Sequence, residues 1–180
     1  SSIYDSIAMA KPVITDNVIR MNQYLPLLEG EGIKISGNSE PRIMSNDISY
    51  SVAGIFIGNP SQPVITGNQI HDNYGRGIFC SSRGFGKTIS ISGNNLQKNG
   101  DPTIVPDSLA GLYVLDSNPL VTHNIFIDNL PVIADIDYSQ CVSFLPVISW
   151  NVYDLISKRT TPPFAGGSYN TTSSGNPINP

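Results

Sequence analysis

The sequence predicts an all-β solenoid of about six stacked three-strand coils, closed by an irregular C-terminal segment. Three observations carry that expectation. Six asparagines recur behind one short signature. Two apolar columns keep fixed offsets from those asparagines. A glycine opens a further apolar-rich strand in most of the repeats.

The signature reads Pro12-Val13-Ile14-Thr15-Asp16-Asn17, Pro63-Val64-Ile65-Thr66-Gly67-Asn68, Pro119-Leu120-Val121-Thr122-His123-Asn124 and Pro146-Val147-Ile148-Ser149-Trp150-Asn151, with looser copies ending at Asn46 and Asn94. Successive asparagines lie 22 to 30 residues apart, a period at which each copy forms one coil. Three positions before each asparagine stand Ile14, Ile43, Ile65, Ile91, Val121 and Ile148. Two positions after it stand Ile19, Ile48, Ile70, Leu96, Phe126 and Tyr153. Both columns point inward. Their neighbours alternate toward polar types, as half-buried strands require. The asparagine falls between two short strands, where it tolerates a left-handed backbone and its amide reaches the next coil's asparagine. A partial second column, Asn22, Asn73, Asn99 and Asn129, follows five residues on.

The third strand reads Gly32-Ile33-Lys34-Ile35, Gly54-Ile55-Phe56-Ile57, Gly77-Ile78-Phe79-Cys80 and Gly111-Leu112-Tyr113-Val114. A degenerate fifth copy is expected near Val132-Ile133-Ala134, and a leading one at Ser2-Ile3-Tyr4. Coils stacked at about 4.8 Å make a rod on the order of 30 Å long. Two-residue hairpin turns and amphipathic helices are lacking, which disfavours an up-and-down sandwich. Coils are assigned to residues 1–156. Residues 157–180 lose the strand period and become rich in Pro, Gly, Ser and Thr. They read as a cap or tail over the last coil, whose open edge needs covering. Insertions at 23–31 and 100–110 both precede the glycine-led strand and overhang one face. Asn170-Thr171-Thr172 matches a glycosylation acceptor, a tripeptide common by chance.

At 180 residues one domain with a continuous core is expected. Hydrophobic residues make up 39% and charged residues only 13%, so Asn, Ser, Thr, Gly and Pro supply the polar surface. The net charge is −4 and no basic run occurs, which argues against nucleic acid and anionic membranes as partners. No apolar stretch approaches the roughly 20 residues of a membrane span. No leader opens the chain, and Ser1 fits either a processed start or a slice of a longer protein. Cys80 and Cys141 lie in different coils without metal-ligand spacing. Cys80 stands where neighbouring coils carry Ile57 and Val114, so it reads as a small buried hydrophobe.

These columns resemble the right-handed parallel β-helix repeat family of the pectate-lyase-like superfold, in particular its carbohydrate-binding and sugar-hydrolase repeats. The resemblance covers roughly residues 2–155. The run Ser149-Trp150-Asn151-Val152-Tyr153-Asp154, with the glycine-rich end, is similar to the end of secreted bacterial members. It implies a right-handed parallel β-helix and an extracellular or cell-surface setting. The superfold hosts lyases, hydrolases, epimerases, adhesins and spacers, so it does not select an activity. In its enzymes the substrate groove runs along the outer face of one sheet.

If the glycine-led strands form that sheet, its outward column is Lys34, Phe56, Phe79 and Tyr113. Stacked aromatics on a rigid sheet serve as platforms for sugar rings. The same stripe also suits packing under an overhanging loop. Hydrolysis needs two facing carboxylates, and elimination needs a base with a cation or proton donor. Asp72, Arg76, Arg83 and Lys87 are the catalytic candidates, since cations facing an aspartate suit an acidic sugar. Asp101, Asp107, Asp116, Asp135 and Asp137 lie further along. Gly75, Gly84 and Gly86 give the same cluster an ordinary role in solvated turns. His71 and His123 read as surface residues. No metal-ligand cluster appears and no cofactor is implied; calcium has no support in the sequence.

Two functional readings stay open. One is a non-catalytic module, extracellular or on a cell surface, that binds a polysaccharide or serves as a rigid scaffold. The other is a polysaccharide-modifying enzyme, a lyase, hydrolase or epimerase on an acidic glycan, or a fragment of one. End-to-end or homo-oligomeric assembly is compatible with both.

Overall fold

The computed structural model describes residues 10–22, 29–58, 60–81, 88–104, 110–115, 117–129, 136–137, 147–153, 160–161, 170–172 and 177–178. Among them are strands and turns and no helix. The first coil holds β1 (Val13–Thr15), β2 (Val18–Arg20) and β3 (Glu31–Ile35). The second holds β4 (Arg42–Met44), β5 (Asp47–Ser49) and β6 (Ala53–Ile57). The third holds β7 (Val64–Thr66), β8 (Gln69–His71) and β9 (Arg76–Cys80). The fourth holds β10 (Ser90–Ser92), β11 (Asn95–Gln97) and β12 (Ala110–Val114). In the last two coils the third strand shortens: β13 (Leu120–Thr122), β14 (Ile125–Ile127) and β15 (Ile136–Asp137), then β16 (Val147–Ser149), β17 (Val152–Tyr153) and β18 (Thr160–Thr161).

Equivalent strands stack into three sheets, one per strand position of the coil. All pairings between coils are parallel. The predicted columns lie directly over one another, as in Ile43↔Ile65 and Ile48↔Ile70. Beyond the last coil, β19 (Asn170–Thr172) adds to β17 in parallel. β20 (Pro177–Ile178) then turns back antiparallel on β19. The fifth third-strand pairs through Ile136-Asp137, with Ile136 beside Leu112. It does not use the expected Val132-Ile133-Ala134, which lies outside the described residues, as does Ser2-Ile3-Tyr4. Parallel pairing conserves register, so Ile136 takes the slot that its apolar neighbours Leu112, Ile78 and Ile55 set.

The core is a single apolar column complex between the sheets. Ile43, Ile65, Ile91, Val121 and Ile148 are fully buried from the first sheet, and Ile48, Ile70, Leu96 and Phe126 from the second. Ile14 and Ile19 of the first coil are only half-buried against it. Cys80 is buried in register with Ile57 and Val114, as its position in the repeat required. Replacing Ile65 by Ala is expected to cost about 2–5 kcal/mol, the range for a large-to-small change in a closed core. A urea midpoint close to wild type would show that Ile65 is not core.

The asparagines form a continuous ladder. The backbone N–H and side-chain amide of Asn46 both donate to Asn68 Oδ1 at 3.0 Å. Asn68 does the same to Asn94, Asn94 to Asn124, and Asn124 to Asn151. A second ladder links Asn73, Asn99 and Asn129 one turn later. The left-handed backbone, however, sits one residue earlier than expected. Asp16, Ser45, Gly67, Gly93, His123 and Trp150 take φ between 55° and 65°. Met21, Tyr50, Asp72, Lys98 and Asp128 do so at the second ladder. The asparagine must aim its own N–H along the stack, so the preceding residue makes the bend.

Candidate functional site

The third sheet carries the residue column the sequence singled out. Lys34, Phe56, Phe79, Tyr113 and Asp137 are consecutive register partners on β3, β6, β9, β12 and β15. Lys34 is exposed, and the three rings are half-buried. Phe56 and Phe79 meet edge to face, with centroids 5.1 Å apart and planes at 77°. Phe79 and Tyr113 repeat that geometry at 5.4 Å and 71°, within the preferred range for aromatic pairs. Inward neighbours Ile55, Ile57, Ile78 and Leu112 are closed off, so alternation forces these rings outward.

Cations lie on this stripe. The Lys34 ammonium sits 5.4 Å from the Phe56 ring centre and 3.4 Å from the Glu31 carboxylate. The Arg76 guanidinium lies 4.2 Å from the centre of Phe79 and 4.4 Å from that of Tyr113. Both distances are those of cation–π contacts. A shallow cavity of about 140 Å³ opens beside Phe56, Phe79 and Arg76, with Glu31 and Val52 on its wall. The site therefore offers ring edges, two cations and a carboxylate rather than bare ring faces.

Arg76 is the residue whose placement the sequence left unread. It was grouped with Asp72 as a catalytic candidate, yet it belongs to the aromatic stripe. Its register partners are Ala53 and Ala110. Their short side chains leave room for the long arm to cross toward the rings. An arginine flanked in register by two alanines was the available signal.

Asp72 faces another network. Its carboxylate lies 2.6 Å from His71 Nδ1, while His71 Nε2 is 3.1 Å from Asp47. Asp47 in turn accepts from Arg20 at 3.1 Å. This chain of charges runs along the outside of β2, β5 and β8 on the second sheet. Asp101 caps its own turn: the hydroxyl and N–H of Thr103 donate to it at 2.6 and 2.9 Å. Those bonds hold its carboxyl below the ordinary value. Arg83, Lys87, Asp107, Asp116 and Asp135 lie outside the described residues. Among the described residues no group of three His, Cys, Asp or Glu side chains is arranged to hold a metal ion.

A wider groove of about 360 Å³ lies beside the first sheet. Lys11, Glu40, Gln62 and Thr88 line it with Arg42 and Val64, and Lys11 is ion-paired to Glu40 at 2.8 Å. Among the described residues no helix is long and apolar enough to cross a membrane. Compared with known proteins, residues 1–130 match a family profile described as a right handed beta helix region. No curated protein and no solved structure matches the chain.

Proposed function

The chain belongs to the right-handed β-helix family, and from that premise we propose a non-catalytic, carbohydrate-binding module of the extracellular space or cell surface. One observation carries this reading: the in-register stripe of Lys34, Phe56, Phe79 and Tyr113, with Arg76 laid over two of its rings. Aromatic carbons pack against the C–H faces of sugars, and the cations and Glu31 serve ring hydroxyls or carboxylates. The stripe follows the solenoid axis, so an extended polymer lies along it with one contact per coil.

A polysaccharide-modifying enzyme is the weaker reading. Asp72 and Arg76, adjacent in its proposed cluster, are engaged on different sheets. The whole chain should be assayed on uronate polymers for unsaturated products and for new reducing ends. Turnover that disappears in Arg76→Ala would replace the binding reading with the enzymatic one.

Binding itself is tested by retention on a glycan array. Phe79→Ala is expected to weaken retention roughly tenfold, since each aromatic contact contributes about 1 kcal/mol. Circular dichroism should stay unchanged. Equal retention of the variant and the wild type, or none for either, rejects this site.

A further inference from the structure

We propose a second saccharide contact, distinct from the third sheet, on the ridge between the first and second sheets at Trp150. Two independent features single it out. The Trp150 and His123 rings, one coil apart, are parallel to within 4° with centroids 6.2 Å apart. Both residues also occupy the left-handed position just before a ladder asparagine, where two other coils place Gly67 and Gly93. Bulky side chains are disfavoured at such φ values. Neither residue gains burial in return: His123 is exposed, and Trp150 keeps 51% of its surface in solvent. Strain retained without burial marks a position held for contact rather than for the core.

The surroundings choose the ligand. Leu120, Ile125 and Val147 are also exposed, at 36%, 40% and 48%. With the two rings they make a small apolar patch. A stable protein interface needs roughly 20–30 residues a side, far more than this patch offers. One or two pyranose rings fit it, with a C–H face on the indole. Thr122 and Ser149, in register and immediately before the two rings, bring hydroxyls to the same ridge. The sugar class rests on the carbohydrate reading above, but the site shares no residue with the third sheet.

Trp150 is the chain's one tryptophan, so its emission reports this contact directly. Glucose and galacturonate β- and α-linked hexamers should be titrated into the full chain at fixed pH. A saturable shift in emission is expected with at least one of them, and it should persist in Phe79→Ala. Binding measured by calorimetry in Phe79→Ala should fall roughly tenfold on adding Trp150→Gly, the loss of one aromatic contact. That substitution installs the residue other coils use at this bend, so the melting temperature should hold or rise. Emission unmoved by every hexamer overturns the site even if the third sheet binds. A shift that vanishes in Phe79→Ala would also overturn it, by tracing the signal to the third sheet. An emission shift that depends on protein concentration without sugar would overturn it in favour of self-association.

Discussion

Asn94→Ala is expected to destabilise the protein by on the order of 4 kcal/mol. Asn94 is buried in the middle of the ladder. Its Oδ1 accepts from the N–H and the amide of Asn68 at 3.0 and 2.9 Å. Its own amide donates to the Ile65 carbonyl and to Asn124 Oδ1, both at 3.0 Å. Alanine leaves those partners closed off from water, at about 1–3 kcal/mol for each unsatisfied group. Relaxation and shared bonds reduce the sum. Asn94→Asp should be no milder: it keeps the acceptor for Asn68 but sets oxygens against the Ile65 and Asn124 oxygens. Asn17→Ala is the control, because Asn17 is exposed at the ladder's first rung. It should cost about 1 kcal/mol or less. Urea denaturation separates these outcomes. Equal midpoints for Asn94→Ala and Asn17→Ala would refute a cumulative role for the ladder. Coils couple mainly to their neighbours, so the Asn94 variant is also expected to broaden or split the unfolding transition.

The second large effect is expected at Gly54. A Cβ there would stand 2.5 Å from the Gly77 carbonyl oxygen and 2.8 Å from Ile70 Cγ2. Backbone on one side and a core isoleucine on the other leave no flexible atom to yield. Gly54→Ala should therefore cost about 3 kcal/mol or more by overpacking. Gly67 is the informative contrast. Its φ is 65°, but the nearest atom to an added Cβ is 3.9 Å away. Gly67→Ala meets only the left-handed penalty, roughly 1–2 kcal/mol. Two glycines of one repeat thus serve different purposes, close stacking at Gly54 and backbone bending at Gly67. A milder effect at Gly54 than at Gly67, measured as urea midpoints, would show that the coils separate readily.

Register explains what was readable. Ile65, Asn68 and Gly54 each repeat a demand that the coil above and below also makes. One-dimensional spacing therefore exposed the core columns, the ladder and the third strand. Lys34, Phe56, Phe79 and Tyr113 followed by alternation from that same spacing. The position of the bend was not readable in this way. Asp16, Ser45, Gly67, His123 and Trp150 share a backbone shape without sharing a side-chain type.

The amino-acid order by itself determined which residues lie over one another, because parallel stacking turns a repeat of 22 to 30 residues into vertical columns. The tertiary structure alone decided what happens between columns. It carried Arg76 across to Phe79 and Tyr113, tied Asp72 to His71 and Asp47, and laid Trp150 parallel to His123. Those contacts depend on the lateral reach of long side chains and on the turns that set neighbouring sheets at an angle. Neither quantity has a period along the chain, so spacing could not reveal them.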